Sequence, residues 1–188
     1  MPRAFYLRPA PVVARDLLGC ILVSRCGRAV AAGRIVETEA YLGPEDGASH
    51  AAFRPGSHAL FYGTGGHAYV FLNYGVHHCL NAITGPAGEP GCVLLRALEP
   101  IEGLAAMRRR RGALATVRLA SGPGNLTRAL RVTARDNGAD LTRGALMILA
   151  AGGPRAFRVA CGPRIGITRS TALPLRFWIA GHPCVSRG

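Results

Sequence analysis

Short apolar runs broken every few residues by glycine or proline dominate this chain, a pattern of many brief elements joined by turns rather than of a helical bundle. Residues 10–19 (APVVARDLLG) read as a short helix with Val12, Val13, Leu17 and Leu18 inward and Gly19 as its stop. Residues 20–24 follow as a strand, and the Cys26-Gly27-Arg28 turn folds it against a longer strand that opens the stretch RIVETEAYLGPEDGASH, residues 34–50. Alternation places Ile35, Glu37, Glu39 and Tyr41 on one face and Val36, Thr38 and Ala40 on the other, before Gly43-Pro44 breaks the strand. Residues 43–66 are rich in glycine and proline and predict a long loop with one helical turn after Pro44, a length that points to function. Residues 67–73 (HAYVFLN) and 76–83 predict two strands joined by a tight Asn73-Tyr74-Gly75 turn, with Tyr69 and Phe71 on one face and Val70 and Leu72 on the other. Residues 92–98 (CVLLRAL) predict an apolar strand, residues 100–111 a helix that starts at Pro100 and ends in four arginines, and residues 120–126 (ASGPGNL) a glycine-rich turn opening a further helix. The final third, residues 145–180, reads as core-building strands between Gly-Pro turns, with no chemistry of its own.

Three features of this pattern carry candidate chemistry. Glu37 and Glu39 share a face with Tyr41 at a strand end, where a carboxylate beside an aromatic ring can hold a flat ligand and activate water; the alternative is an edge strand whose glutamates face solvent. Arg96 interrupts an apolar strand and is either paired with Glu37 or Glu39 or turned outward at an edge, because an isolated buried charge is costly. Tyr74 at a hairpin tip is either folded back on its own hairpin or presented to a partner as a wedge.

Composition narrows the partner. The chain has 188 residues, enough for one domain with a real core. It carries 23 basic and 10 acidic residues, a net of +13, and every one of those basic residues is arginine. The excess of positive charge favours a polyanion, and nucleic acid over a membrane surface because no basic amphipathic helix with a bulky apolar face is evident. No apolar run reaches spanning length and the start, MPRAFYLRPA, lacks the apolar core of a signal peptide, so the expectation is a soluble cytoplasmic protein, nucleoid-associated in a bacterium. Six cysteines without a CxxC pair read as reduced thiols rather than a disulfide framework, and the adjacent His77 and His78 point to opposite strand faces, which argues against a metal site.

The motifs RIVETEAYLGPED, GASH, YVFLNYG, CVLLRALEP, LASGPGNL and PLRFWI, in this order and over nearly the whole chain, resemble the alkyladenine (3-methyladenine) DNA glycosylase family. The resemblance implies one mixed α+β domain over residues 1–188, with a curved antiparallel β-sheet, a protruding hairpin and short surrounding helices. It implies excision of alkylated or deaminated purines, the class of 3-methyladenine, 7-methylguanine, hypoxanthine and ethenoadenine, from double-stranded DNA by a monomer without cofactor or metal. Carried over by position, it makes Glu39 the general base and Arg96 its partner in holding the attacking water. Tyr41 and Phe71 become the pair that stacks on the extruded base, and His50 closes the pocket with a hydrogen bond. Ala48 reads the base edge with its main chain, Asn81 crowds the exocyclic amino group of normal guanine, and Tyr74 enters the duplex in place of the flipped nucleotide. Phe71 stands where tyrosine is frequent, Asn125 where a basic residue is common, and residues 53–66 are too divergent for transfer. With no lysine in the chain, a Schiff base would fall to the N-terminal amine alone, so the expectation is a monofunctional enzyme. The competing expectation is a non-catalytic DNA-binding module using the Tyr69/Phe71 face and the arginines.

Overall fold

The computed structural model describes residues 1–153 and 156–187. Its strands are β1 (Ile21–Cys26), β2 (Ala29–Tyr41), β3 (Ala68–Asn73), β4 (His77–Ile83), β5 (Cys92–Glu102), β6 (Leu146–Leu149), β7 (Val159–Gly162) and β8 (Arg176–Ile179). The helices are α1 (Arg3–Tyr6), α2 (Ala10–Leu17), α3 (His50–Phe53), α4 (His58–Phe61), α5 (Leu104–Arg111) and α6 (Pro123–Leu130). This is the expected α+β fold: one antiparallel sheet in the order β3-β4-β5-β2-β1-β6, with β8 pairing both β2 and β7.

The thirteen-residue strand β2 organises the sheet. It keeps β5 along one edge, while the other edge pairs first with β1 (Arg34 back to Ala29) and then, at Glu37, Thr38 and Glu39, with β8. Two irregularities bend it. At Gly33 the β5 backbone comes so close that an added Cβ would lie 2.8 Å from the Glu99 carbonyl oxygen, so no larger residue fits. Between Ile35 and Glu37 the register slips, and Ile35 and Val36 both pack into the main apolar core. The expected four-residue face is therefore shorter than simple alternation suggests: Ile35 leaves it, and Glu37, Glu39 and Tyr41 remain. On the opposite side Thr38 Oγ1 donates to the Ala14 carbonyl oxygen at 2.9 Å and ties β2 to α2, whose Val13 and Leu17 are buried. The same helix leaves Val12 exposed, contrary to the inward position expected of it.

Other boundaries differ for identifiable reasons. Strand β5 runs on through Pro100 to Glu102, where the chain lies opposite the Gly33 irregularity and no ladder bond is required of the proline. Helix α5 starts only at Leu104, after Gly103 at φ 77°. The loop of residues 43–66 has no helical turn after Pro44, but its second half contains α3 and α4, with Ser49 Oγ accepting from the Ala51 amide at 3.3 Å as an N-terminal cap. Part of the Gly-Pro turn at residues 153 and 154 lies outside the described residues. A second, smaller apolar cluster of Ala51, Phe61, Tyr69, Ile83 and Cys92 supports this loop beneath the site. No helix among the described residues is long and apolar enough to cross a membrane. The six cysteines stand as free thiols, four of them buried, and no group of three metal-ligating side chains occurs among the described residues.

Candidate active site

The end of β2 delivers two buried carboxylates into a network of donors. Glu37 Oε1 accepts from Arg96 Nε at 2.9 Å, Arg176 Nε at 2.7 Å and Ser186 Oγ at 2.9 Å, and its Oε2 accepts from the Ser186 amide at 2.7 Å. Glu39 Oε1 accepts from the Ile165 amide at 2.8 Å and lies 3.1 Å from Arg96 Nη1, while Oε2 accepts from the Tyr41 hydroxyl at 2.8 Å. Arg96 thus pairs with both glutamates at once, and its fork geometry on β5 suits that bridging. The two carboxylates nevertheless differ. The partners of Glu39 — Tyr41, Arg96 and Ile165 — all line a cavity of about 690 Å³, whereas Arg176 and Ser186, which complete the shell of Glu37, do not. Glu39 itself lies directly behind those lining side chains with no exposed surface.

Seven of the eight site residues expected from sequence line this one cavity: Tyr41, Ala48, His50, Phe71, Tyr74, Asn81 and Arg96; Glu39 is the eighth. Its size falls within the range of about 300–1,000 Å³ typical of ligand clefts. Tyr41 is clamped from the far end of the chain, with the Arg164 guanidinium 4.6 Å from its ring centroid. Arg164 in turn forms a fully buried, two-pronged pair with Asp46 at 2.6 and 2.8 Å. Burial and the adjacent Glu39 carboxylate push the Tyr41 hydroxyl well above its ordinary pKa, so it remains a donor. Burial alone would raise Asp46, but Arg164 and the amides of Leu42 and Ala48 outweigh it and hold that carboxyl below the ordinary carboxylate range. Because Asp46 Oδ1 takes the Ala48 amide at 3.1 Å, the loop is fixed next to the cavity with that amide already used.

The opposite wall is aromatic. The rings of Tyr69 and Phe71 stack with centroids 5.3 Å apart at 30°, and His50 leans on Phe71 at 4.4 Å. His50 Nδ1 lies 2.7 Å from the Tyr69 hydroxyl, which also meets Ser57 Oγ at 2.9 Å. Asn81 Nδ2 donates to the Tyr69 carbonyl oxygen at 3.1 Å. At the rim, Tyr74 is 83% exposed at φ 49° and Gly75 follows at φ 68°, closed by a bond from the Val76 amide to the Asn73 carbonyl oxygen at 3.0 Å. The tyrosine at the tip therefore points away from its own hairpin, and it shares the left-handed conformation of the glycine that follows it.

Burial, and secondarily the charge of Arg54, push His50 down to about 4, so it is neutral near pH 7. Between about 6.5, its ordinary value, and about 4 the unfolded chain binds a proton that the folded chain does not, so stability falls as pH drops through that window. Denaturation midpoints measured across it will show wild-type protein losing stability relative to His50→Gln; parallel curves would contradict the assignment.

Several residues were not anticipated. Arg164, Ile165 and Arg176 lie within residues 145–180, which were expected to hold only core strands, and Ser186 lies just beyond them, yet all four contact Glu37, Glu39 or Tyr41. No spacing announces these long-range contacts. Asp46 carried a weak signal, as one of only 10 acidic residues in the chain.

Comparison with known proteins bears on this site. The family profile described as methylpurine-DNA glycosylase matches residues 4–183. A protein of Koribacter versatilis is 49% identical over 99% of this chain and 92% of its own length. Proteins of Methanoculleus marisnigri and Anaeromyxobacter dehalogenans are 44% and 45% identical, each over 100% of this chain and over 98% and 85% of their own lengths. All three carry the provisional name 3-methyladenine DNA glycosylase.

Proposed function

Because the chain belongs to the methylpurine-DNA glycosylase family, we propose that it turns damaged purine nucleotides out of duplex DNA and hydrolyses their N-glycosidic bond, leaving an abasic site. The observation that carries this reading is the position of Glu39, held by Arg96 and Tyr41 directly behind an aromatic-walled cavity.

A base within the stack is out of reach, so the nucleotide must leave the duplex and something must occupy its place. Tyr74, projecting from a rigid two-stranded ribbon, supplies that wedge. The extruded base stacks between Tyr41 and Phe71, worth about 1–3 kcal/mol. A cationic alkylated purine gains about 0.5–2 kcal/mol more from cation–π attraction, which rewards damage without a base-specific code. With the Ala48 amide committed to Asp46, its carbonyl oxygen is the main-chain group left to read the base edge. The Asn81 amide crowds the exocyclic amino group of undamaged guanine, and neutral His50 adds a hydrogen bond.

Glu39 Oε2 accepts one bond, from Tyr41, so it has a lone pair for a water that enters when the bound nucleotide displaces the lining side chains in front of it. As the C1′–N bond breaks and its electron pair leaves with the base, the water oxygen bonds to C1′ and its proton passes to Glu39, whose charge also steadies the oxocarbenium-like sugar. Nothing in this sequence of steps requires an amine nucleophile, consistent with a monofunctional enzyme in a chain without lysine. The test is a panel of duplexes carrying 3-methyladenine, 7-methylguanine, hypoxanthine or ethenoadenine, with chromatography of the free base. Release from members of the panel is expected; duplex binding with no release from any of them would leave a non-catalytic DNA-binding module and overturn the reading.

A further inference from the structure

The hairpin turn divides two concavities. Its Asn73–Tyr74 half borders the aromatic cavity, and its Val76–His77 half borders a second groove of about 780 Å³. This groove runs between α5, α6 and the start of β4, and four arginines line it: Arg110 and Arg111 from α5, Arg128 and Arg131 from α6. No carboxylate lines it, and no ion pair among the described residues reaches any of the four. Arg110 and Arg111 are half-buried and anchored to the carbonyl oxygens of Ala129 and Leu119 at 2.6 and 3.0 Å. Burial, then Arg131 for the one and Arg128 for the other, holds both guanidinium groups below their ordinary pKa. Four like charges crowded together without a counter-ion are a site that an anion stabilises.

Two details point the same way. Asn125, at the start of α6, turns its amide back to the Ser121 carbonyl oxygen at 2.6 Å, so the charge α6 offers here comes one turn later, from Arg128. Arg131 closes α6 at φ 60°, a conformation usually left to glycine or asparagine, and holds an exposed guanidinium at the groove.

We propose that this groove binds backbone phosphates of the DNA on the side of the Tyr74 wedge opposite the extruded nucleotide, so that the duplex straddles the hairpin. The proposal rests on the glycosylase reading for the identity of the polyanion. Its test is a titration of undamaged duplex at a series of salt concentrations, which reads the groove whether or not any base is released. The variant is Arg128→Gln/Arg131→Asn, with asparagine chosen because it tolerates positive φ. Each phosphate contact contributes about 0.9 to the slope of log K against log salt, so the variant should bind undamaged duplex more weakly with a slope about 2 units shallower. Arg128→Gln alone should give about half that change, and Arg15→Gln, an exposed arginine on α2, little. A thermal midpoint equal to wild type confirms the fold. A folded double variant with the wild-type slope, or one shifted per charge no more than Arg15→Gln, would overturn the proposal.

Discussion

Glu39→Gln is expected to lower single-turnover release of hypoxanthine by about 10²–10⁴-fold, the usual contribution of a positioned general base, while leaving duplex binding close to wild type. The amide has nearly the shape of the carboxylate and can still accept from the Ile165 amide, so the cavity walls contributed by Tyr41 and Phe71 stay in place. What is lost is an acceptor for the water proton and a negative charge beside the sugar. Arg96 Nη1 and the Tyr41 hydroxyl both donate to Glu39 now, and a glutamine cannot accept on both sides; with its amide nitrogen toward Tyr41, the hydroxyl turns to accept from it while the ring stays in place. A loss confined to release, with binding preserved, separates the catalytic reading from that of a simple DNA-binding module.

Arg96→Leu is expected to act on the fold itself. It leaves Glu37 and Glu39 buried with their shared cation gone, and breaking a buried pair from one side costs about 3–5 kcal/mol. For a domain of this size that is a fall in Tm of roughly 6–20 °C, readable by calorimetry. Arg96→Lys should fall between leucine and wild type, because an ammonium restores the charge but cannot span Glu37, Glu39 and Ser186 as a planar fork does. A leucine variant as stable as wild type would mean that the network contributes little to holding β2 and β5 together at the site.

Much of this arrangement was legible in the order of residues. Alternation along 67–83 located the β3–β4 hairpin to within a residue at each boundary, because that ribbon's rings and turn glycine obey local rules. An arginine inside CVLLRAL left two readings, a buried ion pair or an edge position turned outward; the pair is what forms, with both candidate glutamates as partners. Alternation also put Glu37 and Glu39 on one side, but it has no means of ranking them. The family resemblance ranks Glu39 first, and the structure adds that its partners Tyr41, Arg96 and Ile165, on β2, β5 and a distant loop, all border the cavity. The slip at Ile35–Glu37 was hidden because a one-residue bulge depends on the partner strand. Pro100 suggested a helix start because proline is common there, whereas the opposing Gly33 irregularity let β5 carry it. Arg164, Ile165 and Ser186 were silent for a simpler reason: they act at separations of more than a hundred residues from Glu37, Asp46 and Glu39, where local pattern carries no information.

The proposed division of labour between the two glutamates is the center of the proposed mechanism, and one side-by-side measurement addresses it. Single-turnover release of free hypoxanthine is followed at saturating enzyme for wild type, Glu37→Gln and Glu39→Gln, at a temperature where all three are folded. The geometry predicts that Glu39→Gln loses release, while Glu37→Gln retains it and shows its loss in Tm instead, since Arg96, Arg176 and Ser186 all converge on that carboxylate. Release that survives in Glu39→Gln and disappears in a folded Glu37→Gln would contradict the assignment of Glu39 as the base.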